Sequence, residues 1–234
     1  MASSNVFRRV EKKYTVTTAQ MEMLKENLSH ILRSDIYPTY TICNVYYDTK
    51  DNDLIRRSIE KPDFKEKMRL RSYGVPHEND TVFLEIKRKY DGTVYKRRIS
   101  ATYRELDGYL TKGISPVSGQ IFDEVEYFRS IYDLSPKMFI AYDRCAFCGR
   151  DDENLRLTFD SNIRYRTEDV SLLVDKGQQL LECGLHIMEI KANGAMPLEM
   201  ADILSKMGVY PSSFSKYGKA YIKEHLKGKE QQHA

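Results

Sequence analysis

The sequence predicts an α+β domain in which a mostly antiparallel sheet of about eight strands closes into a barrel, with helices packed outside it. Three observations support this fold class. Many short segments alternate apolar and polar residues with a period of two, as strands do. Segments between and after them carry apolar residues at helical spacing. One parity of most strand segments is rich in charge, and we expect this charged face to turn inward.

The composition is that of a globular protein without a membrane segment. The chain has 234 residues, of which 41% are apolar, so we predict a single domain over residues 1–227 and a disordered tail over 228–234. Lys and Arg number 37 against 34 Asp and Glu, which is too little net charge for a nucleic-acid coat. We find no signal peptide and no apolar run near ~20 residues. We therefore expect a cytoplasmic protein with no nucleic-acid partner.

The order of the elements follows from periodicity and capping signals. Residues 7–16 alternate and predict a strand, and Thr17 followed by Gln20 forms a capping-box signal that starts a helix. Alternation predicts further strands at residues 40–47, 64–73, 82–89, 94–99, 138–147, 154–160 and 186–191. Helical spacing predicts helices at residues 103–110, 121–132, 198–207 and 214–226.

A basic face recurs along the predicted strands. On the two strands at 64–73 and 82–89, the charged positions of one parity are Lys65, Lys67, Arg69, Arg71, Glu85, Lys87 and Lys89. A sheet with one face in water is the ordinary explanation of such alternation. An idle face mixes signs and includes Thr, Ser and Gln, whereas this face repeatedly places cations two residues apart, where they repel. The pattern therefore favours a face with a ligand.

One hairpin shows the cost of this arrangement. The two-residue Asp-Gly turn at residues 91–92 fixes the register of its strands, which places Lys87 opposite Lys96 and Glu85 opposite Arg98. Two ammonium groups about 7 Å apart, at an effective dielectric constant of about 20, repel by roughly 2 kcal/mol. We therefore expect an anion between the two lysines. For Glu85, a cross-strand salt bridge with Arg98 is the favoured interpretation, and a metal or substrate role is the alternative.

The charged face predicts the class of ligand. If the sheet closes with this face inward, it forms a tunnel lined by Arg and Lys, and about eight strands leave room for one slim molecule. Packed cations are costly to desolvate unless they are compensated. Polyphosphate, or the triphosphate of a nucleotide, is a thin rod with many negative charges and fits such a tunnel.

Several segments resemble the polyphosphate polymerase domain of the vacuolar transporter chaperone (VTC) family, within the triphosphate tunnel metalloenzyme (CYTH-like) superfamily. The resemblance covers the chain from Arg8 to about Leu226. Its motifs are E-K-K-Y at 11–14, M-R-L-R-S-Y-G at 68–74, L-E-I-K at 84–87, K-R-R at 96–98, Y-D-R-C-A-F at 142–147, L-R-L-T-F-D at 155–160, M-E-I-K at 188–191 and F-S-K-Y at 214–217. Arg9 stands where the wider superfamily has the first Glu of E-x-E-x-K, which favours the VTC branch over a two-metal triphosphatase.

The resemblance implies a reaction and a set of site residues. The reaction transfers the γ-phosphoryl group of ATP to the end of an inorganic polyphosphate chain, releases ADP and requires a divalent metal, Mn²⁺ or Mg²⁺. The catalytic residues that it implies are Lys216, Glu189, Arg69 and Arg71. The substrate-binding residues that it implies are Lys13, Lys87, Lys96, Arg98, Tyr142, Arg144, Arg156 and Ser215. The metal ligands that it implies are Glu189 and Glu11, with Glu85 as a secondary candidate.

The last helix offers one further anion site, at its N-terminus. Either Ser213 or Ser215 can cap this helix, so its first N–H groups would favour an anion beside Lys216. A solvated first-turn lysine is the plain alternative for Lys216.

Three other functions stay open on the sequence. The same tunnel with water as the nucleophile would hydrolyse tripolyphosphate or a nucleoside triphosphate. A non-catalytic module would bind polyphosphate and leave it unchanged. Nucleic-acid binding is the weakest alternative, because a closed tunnel cannot admit a duplex. The sequence carries no signal for an oligomeric state.

Overall fold

The computed structural model describes residues 9–91, 93–115 and 118–232, which form an α+β fold as predicted. The strands are β1 (Arg9–Thr17), β2 (Leu32–Asp48), β3 (Phe64–Tyr73), β4 (Thr81–Tyr90), β5 (Thr93–Thr102), β6 (Ser135–Gly149), β7 (Arg156–Arg166), β8 (Gln178–Gln179) and β9 (Leu185–Asn193). The helices are α1 (Thr18–Asn27), α2 (Asp53–Ile59), α3 (Tyr103–Lys112), α4 (Gln120–Ile131), α5 (Leu198–Lys206) and α6 (Lys216–Gln232). Residues 233 and 234 of the predicted tail lie outside these ranges, and the single domain with a disordered tail stays a prediction.

The strands belong to one sheet whose described pairings are antiparallel, but the predicted closure into a barrel is wrong. The strand order is β1-β9-β7-β6-β2-β3-β4-β5, with β8 paired to β7. Within the described residues the order ends at β1 and at β5, so the sheet has two edges. The edge strand β5 carries Lys96, Arg97 and Arg98 in succession. Charges of this kind commonly protect a sheet edge from further pairing.

The chain divides into two compact units, of which the first comprises the described residues through Tyr40, with Tyr142–Ile163 and Leu181–Phe214. In this unit β9 pairs with β1 on one side and with β7 on the other. Thr17 and Gln20 form the predicted capping box at the start of α1. The core contains Leu24, Phe159 and Met188, all fully or almost fully buried. Leu24 lies on α1, whereas Phe159 and Met188 occupy the apolar parity of β7 and β9, so the charged parity of these strands faces the other way.

The second unit comprises Thr41–Ala141, Arg164–Leu180 and the described residues from Ser215 onward. Here β2, β3, β4 and β5 pair in succession. Its core residues on these strands include Val45, Met68, Leu84 and Ile99. They alternate with most of the basic positions, so Lys65, Lys67, Arg69, Arg71, Lys87, Lys89, Lys96 and Arg98 lie on the opposite face, whereas Arg88 and Arg97 lie on the core side.

Most predicted elements are present within a few residues of their predicted ends. The strand β2 is longer than predicted, and the prediction missed the seven-residue helix α2 and the two-residue strand β8. Seven residues span about two helical turns, too few for a clear period. No helix within residues 9–91, 93–115 and 118–232 has the length and hydrophobicity that a membrane crossing requires.

Candidate functional site

A row of polar residues crosses the four strands of the second unit. The strand registers place Tyr46 opposite Arg69, Arg69 opposite Glu85 and Glu85 opposite Arg98. Directly opposed residues of an antiparallel sheet share a face and lie close enough for their side chains to interact. The predicted pairing of Glu85 with Arg98 is therefore confirmed, and the row extends it across the whole four-stranded region.

Glu85 is the centre of this row, and its side chain is 1% exposed. Its Oε1 lies 2.6 Å from Nη2 of Arg98 and 2.7 Å from Nζ of Lys96. Its Oε2 lies 2.8 Å from Nη2 of Arg69 and 3.7 Å from Nη2 of Arg71. One carboxylate thus holds four cations, and the cluster keeps a formal charge of +3. Glu85 orients the cations but leaves most of their charge for another anion.

The cations hold Glu85 in its ionised form. Burial alone would raise the pKa of this carboxyl group, but the charges of Arg69 and Arg71 and the hydrogen bond from Lys96 outweigh burial and lower its pKa well below the usual range. Glu85 is therefore a permanent anion at neutral pH. All of its close contacts in the described part of the chain are cations, so we interpret it as an anchor for cations rather than as a metal ligand.

A row of lysines lies next to Glu85 on the same face. Lys67 is opposite Lys87, and Lys87 is opposite Lys96, as the Asp-Gly turn predicted for the second pair. The anion expected between Lys87 and Lys96 is in part supplied by the protein, because Lys96 contacts Glu85. Burial lowers the pKa of Lys96 to about 8, although the hydrogen bond to Glu85 opposes this shift. Three lysines in directly adjacent positions, of which Lys96 contacts Glu85, favour binding of an added anion.

The start of α6 is adjacent to the lysine row. Ser215 caps the helix, since its Oγ accepts a hydrogen bond from the backbone N–H of Gly218 at 3.2 Å. The same Oγ accepts a hydrogen bond from Nζ of Lys67, also at 3.2 Å. Lys216 is the first residue of the helix. The structure thus confirms the predicted cap and brings Lys67, which the sequence had not placed in the site, to the helix N-terminus.

The sequence missed an anchor for α6. Asp48 is fully buried and accepts hydrogen bonds from the backbone N–H groups of Leu54 and Ile55 and from the hydroxyl of Tyr217. Burial and Asp48 together raise the pKa of Tyr217 far above its usual range, so the phenol stays a proton donor. The ring of Tyr217 stacks on Tyr46 with 4.6 Å between centroids. Asp48 therefore ties α2 to the first turn of α6.

The anchor of α6 connects to the charged row through Tyr46. The hydroxyl of Tyr46 accepts a hydrogen bond from Nη1 of Arg69 at 3.2 Å. On the same strand, Asn44 accepts one from Nε of Arg71 at 3.3 Å. Asn44 and Tyr46 are two residues apart on β2 and therefore lie on the same face. The alternation of this strand could have predicted that both residues belong to the site. Asp48 shares this parity, but nothing in the sequence indicated its partners in α2 and α6.

The first unit contains a second group of charges, around Glu189. Glu189 is 8% exposed and pairs across the strands with Lys13 and Thr158. Its carboxylate lies 2.5 Å from Nζ of Lys191 and 3.9 Å from Nζ of Lys13. Lys13 also lies 3.4 Å from Oε1 of Glu11. Burial raises the pKa of Glu189, but Lys191 and Lys13 more than offset it and lower the pKa to about 2.

Two predicted phosphate ligands of the first unit are held by acidic residues. The guanidinium of Arg144 makes two hydrogen bonds to the buried carboxylate of Asp160, at 2.6 and 2.9 Å, and its Cζ lies 5.3 Å from the ring centre of Tyr142. Burial lowers the pKa of Arg144, but Tyr142 and Asp160 raise it by more, so the net shift is upward and the guanidinium stays charged. Arg156, which is half exposed, pairs with Asp35 at 2.8 Å. The sequence did not predict either acidic partner.

The residues around Glu189 fit a divalent metal that also binds substrate phosphates. Among the residues that the structure describes, no three His, Cys, Asp or Glu side chains cluster as a metal site. Mg²⁺ usually takes one or two carboxylates and completes its shell with water and phosphate oxygens. Glu189 is ionised, and it shares the contact to Lys13 with Glu11. The buried Oγ1 of Thr158, opposite Glu189, has no hydrogen-bond partner within the described residues.

The fold and the site define a class: α+β proteins whose antiparallel sheet presents a cation-rich face with a buried carboxylate at its centre. Within this class, a family model described as the VTC domain matches residues 8–225. The chain therefore belongs to the VTC domain family, which confirms the resemblance seen in the sequence.

The chain is similar to two curated relatives and to one solved structure. Vacuolar transporter chaperone complex subunit 4 of Trypanosoma brucei brucei is 27% identical, over 72% of this chain and 27% of the relative. The subunit of the same name from Trypanosoma cruzi is 25% identical, with the same shares covered. This chain thus spans about a quarter of either relative. A Bacillus halodurans protein, named for a proposed adenylate cyclase activity, shares the fold, with a TM-score of 0.58, 14% identity, and 88% and 93% of the two chains covered.

Proposed function

We propose that this chain is a polyphosphate polymerase domain that transfers the γ-phosphoryl group of ATP to the end of a growing inorganic polyphosphate chain. The observation that carries the proposal is the basic face of the second unit. On β3, β4 and β5 this face holds eight Lys or Arg residues and a single acidic residue, Glu85. A linear polyanion is the ligand that neutralises such a face without requiring a shape-specific pocket.

The chemistry suits a site without a nucleophilic side chain. The terminal oxygen of the acceptor chain attacks the γ-phosphorus, the bond from that phosphorus to the β–γ bridging oxygen breaks, and ADP leaves. Phosphoryl transfer of this kind depends mainly on positioning and on neutralisation of charge. Glu85 holds Arg69 and Arg98 in fixed orientations, so little reorganisation is needed when phosphates bind. Lys216 and the capped N-terminus of α6 would bind a further phosphate group.

We propose Glu189 and Glu11 as the residues that hold a divalent cation, Mn²⁺ or Mg²⁺. When bound, such a cation would neutralise part of the charge on the β- and γ-phosphates. Lys13 and Lys191 keep Glu189 ionised and oriented. Arg144 and Arg156 stay candidates for phosphate contacts, but Asp160 and Asp35 already take part of their hydrogen-bonding capacity. We propose the same contact role for Tyr142 beside Arg144.

The purified chain, incubated with ATP and Mn²⁺, tests the proposal. We expect ADP together with long anionic polymer on a gel. ADP with free phosphate and no polymer would contradict the polymerase and indicate a triphosphate hydrolase. Binding of polyphosphate without any turnover of ATP would replace it with a binding module. The cytoplasmic location and the lack of a nucleic-acid partner stay predictions.

Two neighbouring arginines provide a matched pair of variants. Arg98 contacts Glu85 on the basic face, whereas Arg97 points its Nε to Glu124 of α4 at 2.8 Å. Arg98→Gln and Arg97→Gln therefore remove the same charge from adjacent positions on opposite faces of β5. We expect Arg98→Gln to lose most polymer synthesis and Arg97→Gln to keep it. Equal losses in the two variants would mean that overall charge, and not the basic face, supports the activity.

A further inference from the structure

The first unit contains a cavity on the side of β7 that faces away from Thr158 and Glu189. Its volume is about 220 Å³, and Leu24, Leu157 and Phe159 form an apolar floor. These three side chains are almost completely buried in the core. A cavity of about 150 Å³ in a protein interior accommodates benzene. The volume is therefore sufficient for a body of one or two rings.

The rim of this cavity is basic. Lys25, Arg33 and Arg150 line it, and no acidic residue does. Lys25 is paired with Glu22 at 2.8 Å. Arg150 is oriented by a hydrogen bond from its Nε to the backbone carbonyl of Ser29 at 3.1 Å.

The two arginines of the rim lack a carboxylate partner. Within the described residues, Arg150 contacts no carboxylate, and the side chain of Arg33 makes neither an ion pair nor a hydrogen bond. Arg33 is exposed, so its guanidinium can reach a ligand without leaving an existing partner. Two positive charges thus stand uncompensated over an apolar floor.

We propose that this cavity binds a phosphate monoester carried on a body of one or two rings. A phosphate monoester has a charge of about −1.5 to −2 near pH 7, which matches the two uncompensated arginines, whereas a carboxylate would neutralise only one of them. Arginine also binds phosphate through two parallel hydrogen bonds. The ring would pack against Leu157 and Phe159 at the floor of the cavity. The proposal does not depend on the polymerase activity, because the cavity and the charged sheet face share no residue.

Titration of the whole chain with phenyl phosphate, followed by NMR of the leucine methyl groups, tests the site. We expect saturable shifts of the Leu24 and Leu157 methyl signals, while those of Leu84 in the second unit stay unchanged. Inorganic phosphate and phenol should each bind at least about tenfold more weakly, because each lacks one half of the ligand. Absent shifts at Leu24 and Leu157, or equal binding of either half-ligand, would overturn the proposal.

Arg33→Gln provides the decisive variant, because this exposed residue has no described partner whose loss could unfold the protein. We expect it to bind phenyl phosphate about tenfold more weakly, the effect of losing one charged hydrogen-bond donor. Lys206→Gln is the matched control, since Lys206 is an exposed cation of the same unit that pairs with Asp202. Unchanged affinity in Arg33→Gln, or an equal loss in Lys206→Gln, would contradict the assignment.

Discussion

The charged faces of the two units differ in their balance of charge. On β3, β4 and β5 of the second unit, eight basic residues lie on the same face as one acidic residue, Glu85. In the first unit, three basic and three acidic side chains of known placement lie on one face of β1, β9 and β7. These six residues are Glu11, Lys13, Arg156, Asp160, Glu189 and Lys191. Similar strand patterns thus produce one face with a large surplus of positive charge and one that is nearly neutral.

This difference assigns different chemistry to the two faces. On the second face basic residues outnumber the single acidic residue by eight to one, which favours an external polyanion there. On the first face, burial raises the pKa of Glu189, but Lys191 and Lys13 outweigh it and lower the pKa to about 2, so this carboxylate is ionised. Ionised, half-compensated carboxylates suit a hard divalent cation. We therefore propose that phosphate binding belongs mainly to the second face and metal binding to the first.

Removal of Glu85 should have the largest effect. Glu85→Gln leaves four cations without their shared anion, and loss of one partner from a buried ion pair destabilises a protein by about 3–5 kcal/mol. Urea unfolding at pH 7 measures this loss. Because Glu85 has a lowered pKa in the folded state, its contribution to stability is fully present above the usual Glu pKa and is lost as the pH falls from there through the lowered pKa of the folded state. Tripolyphosphate should restore more stability to the variant than to the wild type.

Glu124→Gln is the control for this measurement. Glu124 also pairs with arginines of the second unit, Arg97 and Arg88, but it is partly exposed and lies on α4. Such a pair contributes only about 1 kcal/mol or less. If Glu85→Gln were no less stable than Glu124→Gln, the basic face would not depend on its central carboxylate.

Removal of the charge of Glu189 tests the other face. Glu189→Gln keeps the shape of the side chain but removes the ionised ligand, so we expect a loss of about 10²–10³-fold in metal-dependent polymer synthesis. Because its pKa is lowered, Glu189 is charged throughout the neutral range. The loss of polymer synthesis in Glu189→Gln should therefore be the same at every neutral pH. Initial rates of ADP release across a Mn²⁺ titration measure both the rate and the metal requirement.

Glu199→Gln serves as the matched control, because Glu199 is an exposed acid of the same unit that contacts His30 on the surface. We expect it to keep wild-type rates. Wild-type turnover by Glu189→Gln would contradict metal binding by the first face, and the proposed chemical difference between the two faces would be wrong.

The sequence predicted those parts of the site that depend on local geometry. The two-residue Asp-Gly turn fixed the register of β4 and β5, so the pairs Lys87 with Lys96 and Glu85 with Arg98 followed directly. Strand parity likewise placed Arg69 and Arg71 on one face. The family resemblance singled out Glu189, which parity alone could not distinguish from other strand acids.

The sequence could not predict contacts between distant segments. Asp48 and Tyr217 are 169 residues apart, and no periodic pattern relates them. The same limit explains why Asp160 was missed as the partner of Arg144. The wrong prediction of a closed barrel has a related cause, because alternation defines each strand but not which strands form the edges of the sheet.

Loss of the Tyr217 hydroxyl should have an intermediate effect on the second face. Tyr217→Phe removes the hydrogen bond to the buried Asp48, and a hydrogen bond to a charged group contributes about 1.5–3 kcal/mol. Because Tyr217 stacks on Tyr46, which contacts Arg69, we expect kcat/KM for ATP to fall about tenfold together with stability. Tyr221→Phe, on the same helix, is the control. A loss of stability without any change in kcat/KM would mean that the hydrogen bond between Tyr217 and Asp48 stabilises the fold but does not position the phosphate site.

The smallest predicted effect is a pH dependence that belongs to the second face alone. Burial lowers the pKa of Lys96 from 10.5 to about 8, so the free protein loses this positive charge as the pH rises through about 8. The phosphates of ATP are already ionised in that range, and kcat/KM reports groups of the free enzyme. We therefore expect kcat/KM to fall about fivefold between pH 7.5 and 9, with kcat changing less because bound phosphates keep Lys96 protonated. Lys96→Arg stays charged and should remove this dependence. If the fall persisted in Lys96→Arg, the titrating group would lie elsewhere, and the surplus charge of the second face would not set the affinity for ATP.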